Sequence, residues 1–486
     1  MSRIRTAGIL GGAVLCGLSS LAQADPAQQP QDVSSRIAAL EAQVSQLKGE
    51  SWLTERRAEE VKTLVREVLA DADTRASLQG DGITAGYDGK NFMLSNADKT
   101  FLMTISGQIQ FRYIYNHREN TSTSTTLGTG PGATAGSPAV TTSSTSTADA
   151  DQHGFQVRRT KLNIAGYVGN PKITYDIVLA AERDTELVYL EDVVLGYKVM
   201  DNLEIRGGRY KQPFLREELT SSKRQTAVER SSFNEFFTLN RGEGVGATWS
   251  SEMIKVAAMF HDGAQSGEVG GVSNEFSAGP ADLAVAARVD VKLLGESNWK
   301  QMDDFAAWKG EPLAIFLGAA VDYERGREGD AQGTVGWDDM VSYTIDGSVE
   351  YQGINLYAAF AGRHISSASA GAPSTLEDFG FLVQGGYMIN DKVEPFVRYE
   401  WISPDGPGLT DVQIVTVGAN YYIKKHNAKF TVDLVWGMDP LRFPSSSVAA
   451  RTSTSGSPTS SGLGLQSDIA SQENQIAIRA QFQLLF

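Results

Sequence analysis

Residues 101–115 read FLMTISGQIQFRYIY, and their alternation decides the fold. Met103, Ile105, Ile109, Phe111, Tyr113 and Tyr115 share one parity. Thr104, Ser106, Gln108, Gln110 and Arg112 share the other. Successive side chains of a strand point to opposite faces, so this stretch builds one apolar face and one wet face. The pattern returns at 281–293 (Leu283, Val285, Val289 and Val291 against Arg288, Asp290 and Lys292). It returns at 427–439 (Phe430, Val432, Leu434 and Trp436 against Lys429, Thr431 and Asp433). It closes the chain at 474–486 (Ile476, Ile478, Phe482, Leu484 and Phe486 against Gln475, Arg479, Gln481 and Gln483).

A water-soluble sandwich alternates in the same way. Three features favour a membrane barrel. The alternating runs exceed the globular mode of ~5–6 residues and suit a tilted bilayer crossing. Charges and amides extend along the whole polar face, as a wet lumen requires. Aromatic residues (Tyr113, Tyr115, Tyr197, Tyr399, Trp401, Trp436) fall near strand ends, where interface girdles lie. An open edge in hydrocarbon would leave backbone N–H groups unpaired, so the sheet has to close. Such runs number about 16, the porin size class. Short connections occur at Gly169-Asn170-Pro171, Asp201-Asn202, Gln352-Gly353, Asn390-Asp391 and Lys425-His426. They alternate with longer polar ones, the rule for short periplasmic turns and long external loops. The 294–311 connection is too long for its turn side. Residues 119–150 and 440–473, rich in Ser, Thr, Gly and Pro, read as exposed mobile loops without a core.

Composition narrows the function. The chain has 486 residues, 43 Lys+Arg against 58 Asp+Glu, and a net charge of −15. Nucleic acid as a partner needs a basic footprint, so none is expected. One Cys excludes a disulfide framework and a cysteine-based metal site. Five scattered His give no metal-ligand spacing, and no Ser/His/acid motif supports a nucleophile. No enzyme activity, catalytic residue, metal or cofactor is expected.

The N-terminus reads as an export signal. Arg3 and Arg5 precede an apolar core from Ala7 to Leu18, and Ala22-Gln23-Ala24 offers a small-x-small cleavage site. Residues 33–70 then carry a 4-3-4-3 seam: Val33, Ile37, Leu40, Val44, Leu47, Ser51, Thr54, Ala58, Val61, Val65, Val68. This is a heptad pattern, and self-association would bury it. A solvated helix is the plainer reading. The expected division is 1–24 signal peptide, 25–80 periplasmic coiled-coil segment and 81–486 barrel. The fold class is an all-β transmembrane barrel of about 16 antiparallel strands preceded by a periplasmic α-helical coiled coil. The expected location is the outer membrane of a Gram-negative-type bacterium, with the N-terminal segment in the periplasm.

Two stretches go further. One is Val157-Arg158-Arg159-Thr160-Lys161-Leu162-Asn163-Ile164-Ala165-Gly166. The other is Gly208-Arg209-Tyr210-Lys211-Gln212-Pro213-Phe214, followed by Glu218-Leu219-Thr220-Ser221-Ser222-Lys223 and Ala227-Val228-Glu229-Arg230. Both resemble the phosphate-selective porin O and P family over about residues 85–486. The resemblance implies a 16-stranded outer-membrane barrel, a homotrimer, basic residues staged along the pore and an inward-folded constriction loop. It implies that Arg158, Arg159, Ser221, Ser222 and Arg230 bind or guide phosphate. Glu218 stands where the family's anion binders place a lysine. Glu191 matches an acidic partner of the site, although strand parity would turn Asp192 inward instead.

The residues support an anion route on their own terms. Residues 211–243 carry six basic against five acidic side chains in an acidic chain. Selectivity for an anion needs fixed positive charge at a narrow point, and guanidinium groups bind phosphate bidentately. Parity places Arg159, Lys161 and Asn163 on the wet face, and Arg158 at the rim or at a bulge. The candidate constriction set is Arg158, Arg159, Lys161, Ser221, Ser222, Lys223 and Arg230. Two plainer readings stay open: contact of these bases with acidic lipid headgroups, and ion pairing with loop glutamates. The expected function is passive diffusion of small hydrophilic solutes, anion-biased, with a phosphate or polyphosphate preference. The alternative is a general or cation-preferring porin that tethers the envelope through the coiled coil. Expected partners are outer-membrane lipid, the barrel insertion machinery, further copies of the chain and cell-wall material.

Overall fold

The computed structural model describes residues 82–486 except 90, 128–141, 182–186, 265–280, 297, 327–338, 367–374, 407–408, 440–462 and 466–473, with Ser35 and residues 37–42, 62–63 and 66–67 before them. The chain divides into two units, Met1–Gly80 and Asp81–Phe486. In the first, the described residues are helical. The export signal and most of the heptad seam lie outside the described residues, and the expected coiled coil over 33–70 is not established. No helix among the described residues is long and apolar enough to cross a membrane.

The second unit is built from strands. A hairpin of β1 (Ile83–Tyr87) and β2 (Phe92–Asn96), absent from the sequence reading, pairs with the first barrel strand. The barrel strands follow in order: β3 (Phe101–Leu127), β4 (Thr142–Val168), β5 (Ile173–Ala181), β6 (Val188–Met200), β7 (Leu203–Lys211), β8 (Arg241–Ser250), β9 (Ile254–His261), β10 (Ala281–Leu294), β11 (Ala314–Gly326), β12 (Asp339–Tyr351), β13 (Ile354–Ser366), β14 (Thr375–Tyr387), β15 (Val393–Ser403), β16 (Val412–Lys424), β17 (Ala428–Gly437) and β18 (Gln475–Leu485). Each pairs antiparallel with its sequence neighbours, and β18 pairs with β3. These sixteen strands form a closed antiparallel barrel, so no edge is left open.

Closure is visible at the C-terminus. The backbones of Gly107 and Phe486 exchange hydrogen bonds of 2.6 and 3.1 Å. The Phe486 ring lies 2.2 Å from where a Cβ on Gly107 would stand, so glycine makes room for the terminal aromatic.

The alternation read from sequence holds. On β3, Gln108, Gln110 and Arg112 are buried inward, while Ile109 and Phe111 are exposed on the outside. On β18, Arg479, Gln481 and Gln483 are buried and Ile478, Phe482 and Leu484 are exposed. An outer surface of this kind requires lipid.

Two expectations are corrected. Residues 119–150 are not wholly loop: β3 runs on to Leu127 and β4 starts at Thr142. Their β-branched threonines favour a ladder, and Thr121 to Leu127 pair with Thr142 to Ala148. Within 440–473, Leu463 and Leu465 are buried in the core rather than exposed. Arg479 donates to the Leu463 carbonyl at 2.7 Å and Asn116 to the Gly464 carbonyl at 3.1 Å. The long turn-side connection after β10 is ordered and tucked inward. Phe305, Ala306 and Ala307 are buried, and the Phe305 ring packs tilted against Tyr357, 4.6 Å between centroids.

The barrel interior is occupied unequally. Residues 212–240, between β7 and β8, fold inward and carry α1 (Arg216–Leu219) and α2 (Ser232–Phe237). Phe214, Leu215, Phe233, Phe236, Phe237 and Leu239 form one cluster with Ala361, Leu382, Ile402, Ile414 and Val435 of the wall. Wall charges tie down the loop backbone. Glu400 accepts from Phe233 N and Asp433 from Val228 N, each at 3.0 Å. Lys429 donates to Gln225 O at 2.6 Å and Arg288 to Phe214 O at 2.7 Å. The loop is therefore packed against the β13–β17 side, and its polar edge faces β3–β8.

Candidate pore constriction

Between that polar edge and the β3–β8 wall lie two cavities of about 440 and 180 Å³. Lys161, Glu191, Arg230 and Arg241 line both, so the two are successive stages of one path. The larger reaches Ser106, Asn163 and Asp176, toward the short-turn end. The smaller reaches Arg158, Tyr189 and Thr238, toward the long-loop end.

Two bulges shape this wall. Gln110 pairs with Arg159 and Phe111 with Val157, so Arg158 is an extra residue on β4. Val178 pairs with Asp192 and Leu179 with Leu190, so Glu191 is an extra residue on β6. A bulge lets consecutive side chains share a face. Arg158 and Arg159 thus both reach the lumen, as do Glu191 and Asp192. The bulge was one of two places that parity allowed for Arg158. For Glu191, strict alternation misled: the extra residue brings it inward beside Asp192.

The expected site residues separate into two groups. Arg158, Arg159 and Arg112 converge on Glu229 of the loop. Arg158 Nε lies 2.8 Å from Oε2, Arg159 Nη2 2.5 Å from Oε1 and Arg112 Nη1 3.3 Å from Oε2. Burial pushes the Glu229 carboxyl up, but Arg159, Arg158 and Arg112 outweigh it and hold the group well below the usual carboxylate range. Arg230 is mostly structural. It donates to the Glu217, Glu218 and Thr220 carbonyls at 3.2, 3.2 and 3.0 Å and pairs with Glu218 at 3.3 Å. Ion pairing with loop glutamates, one of the plainer readings, thus describes these arginines in part.

The second group faces the larger cavity. Lys161 Nζ lies 2.5 Å from Glu191, and Ser221, Ser222 and Lys223 line the same space. Ser222 turns partly away, toward Gln108 at 3.3 Å. Lys223 lines the cavity, and its backbone carbonyl accepts from Gln483 at 2.9 Å.

Arg206, which sequence reasoning passed over, lines the cavity as well. So do Lys211 and Arg241, which it counted among the bases of 211–243 but left out of the candidate set. Arg241 Nη2 lies 3.2 Å from Glu191, and its Nε 2.6 Å from Asp192. The G-R-x-K run and the start of β8 carried the signal, because both flank the loop and enter the lumen with it. Glu218 sits between Arg230 and Lys211, the latter at 3.5 Å. Burial pushes its carboxyl up, yet Arg230 and Lys211 hold it at about 2, a permanent negative charge.

Together the cavities display eight basic side chains (Arg158, Arg159, Lys161, Arg206, Lys211, Lys223, Arg230, Arg241) and five acidic ones (Asp176, Glu191, Asp192, Glu218, Glu235). Basic side chains on the two linings thus outnumber acidic ones by three in a chain of net −15, with Glu229 behind Arg158 and Arg159.

Residues 141–279 match the sequence model of the family described as phosphate-selective porin O and P. The chain matches no curated relative. Among solved structures it is similar to the anion-selective porin of Comamonas acidovorans (12% identity, TM-score 0.48, covering 79% of this chain and 99% of that one). It is also similar to OmpT of Vibrio cholerae (13%, 0.44, 78% and 98%) and to the channel DcaP of Acinetobacter baumannii (12%, 0.44, 79% and 97%).

Proposed function

We propose that the chain is an outer-membrane porin: a water-filled channel for passive diffusion of small hydrophilic solutes, biased toward anions and accepting phosphate. The excess of positive charge along the narrow path carries this reading. Fixed charge of one sign in a low-dielectric constriction concentrates the opposite ion. Lys161, Lys211, Lys223 and Arg241, with the Ser221 hydroxyl, are the groups placed to meet a phosphate there. Arg158, Arg159 and Arg230 act behind them, as guides and as the frame of the loop. The short-turn end would face the periplasm. Residues 1–24 would serve export, and the helical segment up to residue 80 would stand in the periplasm. We infer three copies per channel, with the terminal Phe486 strand read by the insertion machinery.

The test is a planar bilayer holding the purified chain under a KCl gradient. The reversal potential should lie on the chloride side, and millimolar phosphate should reduce chloride current. A potassium-side reversal potential would favour a cation-preferring pore, the reading that Glu218, Glu191 and Asp192 support. A tether through residues 33–70 is separable: their deletion would detach the membrane from the wall and leave conductance intact.

A further inference from the structure

The basic path has a branch. Tyr210 and Lys211 of β7, with Leu219 and Ser221 of the inward loop, line the 440 Å³ cavity and also a third one, of about 330 Å³. The third cavity lies between the loop, the wall of β8–β10 and the tucked connection after β10.

Strand parity and two anchors shape it. Lys255, Ala257 and Met259 share one parity of β9 and line the cavity, while Ile254 and Phe260 are exposed on the lipid side. Trp299 and Met302 of the tucked connection line the facing side. The Trp299 indole N–H donates to Ser251 O at 2.9 Å, which fixes the ring in place. Asp303 pairs with Arg224 of the loop at 3.1 Å, so the two inward segments are joined at this cavity.

Its chemistry differs from that of the path. The path's two cavities are lined mainly by charged and polar side chains. Here Pro213, Leu219, Met259, Trp299 and Met302 provide an apolar surface. Of the bases present, Arg288 is engaged by Asp290 and Asp346, and Arg216 by Ser348. The Lys255 ammonium has no hydrogen-bond or ion-pair partner among the described residues. The Ser221 hydroxyl makes no cap hydrogen bond and is also free among them. A hollow of this size, with an apolar floor and a few polar groups, has the form of a small-molecule site. Inorganic phosphate would meet the two donors and leave the apolar floor against water. An ester of phosphate would cover both.

We propose that this side cavity binds a phosphate monoester with an aromatic or other apolar group, its phosphate on Lys255 and Ser221 and its apolar group on Met259, Trp299 and Met302. The inference rests on the reading of the chain as a phosphate-accepting channel and names the substrate class that the branch favours. An indole face and thioether sulfurs suit a flat ring. Lys211, which lines both cavities, stands where the phosphate would cross from branch to path.

The experiment places the full chain in a planar bilayer and compares block of chloride current by phenyl phosphate, inorganic phosphate and benzoate. Phenyl phosphate should block at a concentration about tenfold lower than phosphate, from partial burial of the ring. Benzoate, with the same ring and a single charge, should block more weakly than the ester. Lys255→Gln should weaken block by phenyl phosphate about tenfold. Lys255 has no partner to lose, and heat-modifiable gel migration checks that the barrel is folded. Ala257→Leu fills the hollow from the wall and should remove the advantage of the ester while phosphate still blocks. Equal block by ester and phosphate, or ester block unchanged in either variant, overturns the proposal and leaves the channel reading intact. Benzoate as potent as phenyl phosphate overturns the phosphate head. Block by the ester alone supports the side cavity and removes the path's acceptance of inorganic phosphate. Block by neither removes both.

Discussion

Glu229 is the point where three guanidinium groups meet, and it lies on the loop while Arg112, Arg158 and Arg159 lie on the wall. Replacing one partner of a buried ion pair leaves the others uncompensated, at about 3–5 kcal/mol. Glu229→Gln should lower the unfolding midpoint accordingly in a denaturant titration. Glu218 is different in kind. As a permanent charge at the cavity it opposes the neighbouring bases, so Glu218→Gln should move the reversal potential further toward chloride in a bilayer gradient. Glu235 faces pore water on one side. The protein packed around the rest of it, then the charges of Glu229 and Glu218, push its carboxyl up to about 7. It gains its negative charge as the pH rises through that value. Anion preference should therefore fall between pH 6 and 8, and Glu235→Gln should flatten that step in reversal potential. A step of equal size in the variant would remove Glu235 from the path.

At the scale of the element, aromatic packing on the wall side holds the inward loop together with the hydrogen bonds that its backbone and short helices make. The Phe237 ring is tilted against Phe233 at 5.2 Å and edge-on to Phe236 at 4.8 Å, and the Arg363 guanidinium lies 5.8 Å from its ring. Truncating a buried Phe costs about 3–5 kcal/mol. Phe237→Ala should release the loop, seen as larger and noisier single-channel conductance. The sequence announced this loop through its charges. It did not announce its aromatic side, because Phe233, Phe236 and Phe237 follow no strand period and only the opposite wall gives them a partner. The strands themselves were legible, since each buries one parity and exposes the other. What escaped reading were the positions where parity fails. Glu191 looked wrong-facing until the ladder of β5 and β6 showed an inserted residue. The Thr and Ser tract at 142–150 looked like a loop because low charge and low apolarity resemble a linker, while its pairing partner lies in the equally plain stretch before residue 128.

For the whole molecule, charge is segregated. The chain is strongly acidic, yet the narrow path is positive. Field effects of this kind are screened beyond ~10 Å at 0.1 M salt and beyond ~3 Å at 1 M. Anion preference measured at 0.1 M KCl should weaken at 1 M, and a preference insensitive to salt would point to sieving by size instead. The closed hoop also has a consequence for how such a pore can change. Arg158 and Glu191 each enter the lumen as one surplus residue in a strand whose neighbours keep their partners. Codon insertion or loss at those two points would recompose the electrostatic lining by whole charges while the number of staves stays fixed. The lining can thus change by single-residue indels in the wall, a less disruptive route than loop exchange or strand duplication.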